Sequence, residues 1–255
     1  MEILVSQFVL FILVFVRVTS ILVTAPIIGD QTVPVQVKVA VGLFVSLVLL
    51  PGVSAAHVHV GSSLLQLILA ALKEIVIGLL IGFAAGLVFA GIRFAGELIS
   101  FDLGLSMANV FDPENNQNLS VIGEFLYMVM ALVFLAVNGH HFIFQAIVAS
   151  YTAVPAGTMS FHLPALEQLI RLSGMVFLVG VKIASPVIVA SFLTNVALSV
   201  LSRVVPQMNI FTVSFPLKIG VGICVLMSSG SLMVYVFRNI LADFENNVLL
   251  LVNMV

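Results

Sequence analysis

The chain has 255 residues, of which 62% are hydrophobic and 8% charged, and its formal net charge is −2. Soluble domains average about 45–50% apolar and about 25% charged residues, so a water-soluble fold of this chain would leave a large apolar surface in water. The nine basic residues are spread thinly, which excludes a nucleic-acid-binding surface. Because Cys224 is the only cysteine, an internal disulfide is also excluded.

Long uncharged runs predict the fold class. A helix needs roughly 20 apolar residues to cross a bilayer, and a helix satisfies its own backbone hydrogen bonds in lipid. We therefore expect an all-α polytopic membrane protein of about six apolar helices, forming a single membrane domain over 1–255. The runs without Asp, Glu, Lys or Arg are 39–72, 125–166, 183–202 and 219–237.

The predicted helices follow from these runs and from the breaker residues between them. We expect the first helix to be retained rather than cleaved, because Glu2 stands where a signal peptide has basic residues. Pro51-Gly52, Pro155 and a connector at 203–216 separate later helices. The predicted helices are 4–24, 35–50, 64–99, 121–138, 166–202 and 217–240, with a shorter apolar stretch at 142–154 and an acidic tail with an apolar end after 240.

Small residues recur at every fourth position of the third helix, at Gly78, Gly82, Gly86 and Ala90. Such a stripe lets the backbone of another helix approach closely. The stripe therefore predicts a packing seam with a partner helix.

Charged residues inside the apolar helices are a second candidate site. Charge at bilayer depth is costly unless it is paired or hydrated, so these residues either line a proton or ion path or form structural pairs, and we favour pairing. Arg93 and Glu97 lie four residues apart on one helix face and predict a helix-end pair. The predicted buried charges are Arg17, Lys73, Glu74, Arg93, Glu97 and Lys182.

Recognisable catalytic and metal-binding motifs are missing from this sequence. His57, His59, His140 and His141 could bind a metal, but no zinc motif or acidic cluster accompanies them, so interfacial histidines are favoured. The sequence contains neither a Gly-x-Ser-x-Gly elbow nor a phosphate-binding glycine loop. We expect no enzyme, no metal and no cofactor.

The segment 100–120 holds the most polar stretch of the chain. It is either an ordinary exposed loop or a segment that re-enters an assembly, where irregular backbone at membrane depth is tolerated only inside protein or along a cavity. Soft apolar residues around it would suit a plug or gate. The candidate plug residues are Met107, Phe111, Asp112, Pro113, Asn115, Asn116 and Asn118.

Several motifs resemble the FliR family of flagellar export-gate proteins. The most specific is the connector 203–211, with Arg203, Pro206, Gln207, Met208 and Asn209, followed by Phe215, Pro216, Leu217 and Lys218. Three further stretches match in order along nearly the whole chain. They are Pro34 with Lys38 and Leu50-Pro51, the central block from Gly104 to His141, and Ala184-x-Pro186-Val187.

The resemblance implies a non-catalytic subunit that joins FliP-like and FliQ-like subunits in a helical cone, with an FlhB-like subunit attached, for export of unfolded flagellar proteins. It implies a FliP-like part at about 1–165, a FliQ-like hairpin at about 166–255 and a plug at 107–118. It places the assembly in the bacterial inner membrane, in the flagellar basal body, and 203–209 near the FlhB-like subunit. A virulence-injectisome paralogue and a secondary transporter or proton channel remain the alternatives.

Overall fold

The computed structural model describes residues 2–53, 64–105, 120–158, 163–207 and 209–254. Throughout these ranges the regular secondary structure is helical. The helices are α1 (Glu2–Thr24), α2 (Val35–Leu49), α3 (Leu64–Asp102), α4 (Val121–Ala136), α5 (Gly139–Ala153), α6 (Leu163–Val204) and α7 (Ile210–Met254), with one 3-10 turn at Leu50–Gly52.

Five of these helices are long and apolar enough to cross a membrane, and α4 and α5 taken together would make a sixth. The prediction of an all-α polytopic membrane protein with about six apolar helices is therefore confirmed. The break between α4 and α5 lies at Asn138, which adopts a left-handed backbone conformation with φ of 60°. Asn tolerates this conformation better than most side chains.

The last helix differs from its prediction. It was expected at 217–240, but α7 begins at Ile210 and continues to Met254, so those bounds are wrong. Asn209 precedes the first helical residue, a position that Asn favours as an N-cap. Pro216 then lies inside the helix, where an apolar helix tolerates proline if its surroundings satisfy the freed backbone groups.

The chain divides into two compact units. The first contains Met1–Leu87, Asn138–Ser173 and Ala242–Val255, and the second contains Val88–Val137 and Gly174–Leu241. The division into a FliP-like part and a FliQ-like part at about residue 165 concerns likeness to other subunits and stays a prediction.

In the first unit, α1 packs against the glycine stripe of α3. A Cβ atom at Gly78 would lie 2.6 Å from the Ser20 Cβ atom, and one at Gly82 would lie 2.6 Å from the carbonyl oxygen of Ile21. The partner of these two glycines is thus a helix of the same chain. Only hydrogen at these positions allows α1 to approach so closely.

A buried lysine closes the turn between α1 and α2. The Nζ atom of Lys38 donates hydrogen bonds of 2.8 Å each to the carbonyl oxygens of Gly29 and Asp30. The ammonium group and these two turn carbonyls satisfy one another, which avoids the cost of burying them without partners. The turn is therefore fixed from within α2.

Aromatic rings fill the core of the second unit. Phe89 on α3 contacts Tyr127 and Phe134 on α4 and Phe237 on α7, each edge to face, with ring centroids 5.6, 5.4 and 6.1 Å apart. Such edge-to-face pairs add stabilisation beyond their buried area. Phe89 therefore fastens these three helices together.

Two alanine substitutions on the stripe test the packing of α1 on α3. Gly82→Ala places a methyl group against the Thr24 hydroxyl and the Ile21 carbonyl, and we expect a loss of about 1–3 kcal/mol from overpacking. Gly86→Ala is the matched control, because its methyl group would lie 3.5 Å from the Thr24 carbonyl oxygen, an ordinary contact. That variant should be neutral or gain up to about 1 kcal/mol of helix stability.

The measurement is the temperature at which half of the detergent-extracted protein becomes insoluble. Equal midpoints for the two variants would contradict the close contact of α1 with α3.

Candidate functional site

An arginine and a glutamate are fully buried together in the first unit. The Arg17 Nε atom on α1 forms an ion pair with the Glu74 carboxylate on α3, and neither side chain has any solvent exposure. The other carboxylate oxygen, Oε1, accepts a hydrogen bond of 2.7 Å from the backbone N–H of Gly157. Both oxygens of this buried carboxylate are therefore occupied, as burial of a charge requires.

Arg17 also binds the C-terminal end of α5. Its Nη1 atom donates hydrogen bonds of 2.9 Å to the carbonyl oxygens of Ser150 and Val154. Nη2 has no hydrogen-bond partner in the described part of the chain, but the guanidinium lies 4.3 Å from the centre of the Tyr151 ring. Tyr151 in turn donates a 3.1 Å hydrogen bond to the Val14 carbonyl. One guanidinium thus joins α1, α3 and the end of α5.

Other charges predicted to be buried lie at the surface of the single chain. Lys73, next to Glu74, is exposed, as are Glu97 and Lys182. Their burial concerns an assembly and stays a prediction. Of these six charged residues, Arg17 and Glu74 are the two that pair with each other in the described ranges.

The predicted pair between Arg93 and Glu97 is replaced by a pair between helices. The Arg93 Nε atom lies 3.5 Å from a carboxylate oxygen of Glu124 on α4, and its guanidinium lies 4.1 Å from the centre of the Tyr127 ring. Both contacts lie on the helix packed beside α3, whereas the prediction considered only spacing along one helix. Arg93 therefore links α3 to α4.

The second unit contains an apolar cavity of about 800 Å³ between α3, α4 and α7. The hydroxyls of Ser100 and Ser120, which line it, lie 2.5 Å apart. Ser120 also donates to the Gly96 carbonyl and accepts from the Gly123 N–H as the N-cap of α4. Glu97 lines the same cavity, whose size is that of a ligand pocket.

The connector predicted from the family motif lies between α6 and α7. Arg203, Pro206, Gln207 and Asn209 are exposed, and Met208 lies outside the described residues. Phe215 packs against Gly104, where a Cβ atom would lie 3.1 Å from the ring and where φ is +80°. The turn between α6 and α7 is short and exposed.

Two further predictions fall wholly or partly outside the described residues. The candidate plug residues at 107–118 lie outside them, as do His57 and His59. His140 and His141 lie side by side, with ring centroids 4.4 Å apart. In the described ranges, no group of three or more His, Cys, Asp or Glu side chains could hold a metal ion.

Sequence reasoning missed the partners that satisfy Arg17 and Glu74. Most of them are backbone groups, at residues 150, 154 and 157, which carry no sequence signature. Tyr151 gave no signal either. For the serine hydroxyls of the cavity, Ser120 directly before Val121 is a residue type that favours the N-cap of a helix.

Comparisons with known proteins agree over almost the entire chain. The model of the family described as Bacterial export proteins, family 1, matches residues 8–244. The flagellar biosynthetic protein FliR of Escherichia coli K12 is 33% identical, over 82% of this chain and 80% of its own length. FliR of Bacillus subtilis 168 is 31% identical over 94% of this chain and 93% of its own, and FliR of Caulobacter vibrioides is 33% identical over 89% and 91%.

Substitution of neighbouring residues tests the buried ion pair. Glu74→Gln leaves Arg17 buried without a counter-charge, and we expect a loss of about 3–5 kcal/mol. Lys73→Gln is the matched control, because Lys73 is exposed on the same helix, and it should change stability by no more than about 0.5 kcal/mol. The thermal midpoint in detergent and the amount of protein in the membrane are measured.

The double variant Arg17→Met with Glu74→Met should recover much of that loss, because apolar replacement of a buried pair is often neutral. A Glu74→Gln protein as stable as Lys73→Gln would contradict the structural role of the pair.

Proposed function

This chain belongs to the family 1 bacterial export proteins, alongside the flagellar biosynthetic proteins FliR, and on this premise we propose that it is a core subunit of the flagellar type III export gate. It is a membrane component of the flagellar export apparatus. In the proposed gate it is non-catalytic and forms a channel with FliP-like and FliQ-like subunits. The channel lies in the inner membrane at the basal body and carries unfolded flagellar proteins, and an FlhB-like subunit docks on it.

The observation that carries this proposal is the apolar length of α6. Exposed apolar side chains run along it from Leu166 to Val204, a distance of about 57 Å at the 1.5 Å rise of an α-helix. The hydrocarbon core of a bilayer is about 30 Å thick. Confining this stretch to lipid would require a tilt of about 60°, whereas membrane helices tilt by about 0–40°.

Part of the exposed apolar surface therefore needs cover other than lipid. Extensive exposed apolar surface marks interaction sites. The helices of neighbouring subunits supply apolar cover both inside and outside the bilayer, which favours a hetero-oligomer over a lone transporter. The same holds for α7, which is 45 residues long and measures about 68 Å.

Photo-cross-linking along α6 tests whether other subunits cover its exposed apolar surface. A photoreactive amino acid is placed at Ile170, Phe192 or Val204, which are 64%, 64% and 72% exposed and span about 51 Å of helix. In flagellated cells we expect adducts with other export subunits from at least two of the three positions. Val187, on the same helix with no exposure, is the matched control and should give none.

Adducts with lipid alone at all three positions, in cells that still swim, would contradict the proposed assembly.

A deletion tests the plug predicted at 107–118. Removal of residues 110–118 from the chain, within the complete gate, should raise the conductance of the resting membrane to ions and small solutes. The measurement is ion flux across vesicles that contain the gate. Conductance unchanged from that of the intact gate would count against the plug while leaving the role as an export subunit in place.

A further inference from the structure

The end of α3 lies beside the start of α4 in the second unit, and backbone hydrogen bonds fix its conformation. The Leu105 N–H donates to the carbonyl of Ser100 at 2.9 Å, and the Gly104 N–H donates to that of Phe101 at 3.1 Å. Gly104 has a φ of +80°, as the Schellman motif at a helix C-terminus requires. The residues that precede the segment 106–119, which lies outside the described ranges, are therefore held in a defined conformation.

The Ser120 hydroxyl joins this end of α3 to the first turn of α4. Its Oγ atom lies 2.5 Å from that of Ser100, donates to the Gly96 carbonyl at 3.1 Å and accepts from the Gly123 N–H at 2.9 Å. A hydroxyl has one proton and two acceptor lone pairs. Because the Gly96 carbonyl takes the Ser120 proton, Ser100 donates the hydrogen bond between the two serines. The hydrogen-bonding capacity of Ser120 is therefore fully used, and two of its three bonds go to α3.

Two further contacts hold α4 against α3 in the turns before Ser100. A Cβ atom at Gly96 would overlap the Cα atom of Gly123 and lie 2.5 Å from its nitrogen, so the two backbones touch. One turn earlier, Arg93 pairs with Glu124. Ser100 is 4% exposed and lines the apolar cavity, so separation of the helices would leave its hydroxyl without this partner beside apolar side chains, which is costly.

We propose that the contacts between the end of α3 and the start of α4 form a clasp, which stays closed during export and positions the plug. Four residues make the clasp: Gly96 and Ser100 on α3, and Ser120 and Gly123 on α4. The proposal rests on the function proposed above, with its plug at 107–118. A segment whose two ends are held together has fewer conformations than one with free ends. The clasp therefore returns the plug to the same place after each cargo has passed, with no movement of α4 away from α3.

The first test measures ion flux across vesicles that contain the complete gate in its resting state. Ser100→Ala should raise this flux about fivefold, which is the shift in the opened fraction that loss of one net hydrogen bond gives. Ser100→Thr keeps the hydroxyl and should restore the flux of the intact gate. Ser185→Ala is the matched control and should change nothing, because Ser185 is exposed on α6 and its hydroxyl donates to a carbonyl of its own helix.

Two glycine variants test the same clasp without changing the serines. Gly96→Ala places a methyl group against the backbone of Gly123 and should raise the resting flux as well, because overpacking forces the backbones apart. Gly220→Ala, on α7, has nothing within 4 Å of its new methyl group and should leave the flux unchanged. The amount of gate in the membrane is measured for every variant, so that a loss of assembly is not taken for a leak.

A reversible cross-link tests whether the clasp stays closed. The double variant Ser100→Cys with Ser120→Cys is made in a Cys224→Ala chain. Oxidation should join the two sulfur atoms, because the hydroxyls that they replace lie 2.5 Å apart. Export of flagellar proteins into the medium and swimming should be the same before and after oxidation. The two single variants, oxidised in the same way, are the controls.

Three results would overturn the proposal. The first is failure of the disulfide to form, and the second is export that stops on oxidation of the double variant alone and recovers on reduction, since the helices would then have to separate. The third is a resting flux that removal of 110–118 raises but that neither Ser100→Ala nor Gly96→Ala changes, which would leave the plug and the proposed function intact. Flux unchanged by that deletion as well would contradict the plug, and with it the positioning role of the clasp.

Discussion

The first unit depends on the hydrogen bonds and the ion pair of one buried guanidinium, which must find its acceptors within the protein. Arg17 has no solvent exposure, and its ligands come from α3 and from two carbonyls at the end of α5. An unpaired charge at this depth would cost several kcal/mol, so these elements must meet in one register. The glycine stripe of α3 makes that register attainable, because it lets α1 approach until the pair forms.

The same constraint is met differently in the second unit. There Arg93 is paired, whereas Glu97 and Lys182 are exposed. Exposed apolar side chains also lie along much of α6 and α7. A helix of 42 residues is about twice as long as a bilayer core is thick. Lipid alone therefore cannot cover the whole exposed apolar surface of this helix.

Local patterns gave the class, the helices and the spacing of the small residues, because apolar run length and residue size are properties of the sequence itself. The bounds of α7 could not be found in this way, since Pro216 reads as a break yet lies inside the helix. The partner of Arg93 was missed because side chains on neighbouring helices compete with those one turn away. The acceptors of Arg17 were beyond reach, because backbone carbonyls carry no signature.

Each unit contains an ion pair between helices, but the two pairs differ in burial. In the first, acid and base are matched inside one chain, so its register is specified before any partner arrives. In the second, the pair between Arg93 and Glu124 is partly exposed, at 46% and 32% of the two side chains, so water screens it and it adds little net stability. A buried ion pair therefore specifies how the helices of the first unit meet, whereas the helices of the second unit are held mainly by the aromatic contacts of Phe89.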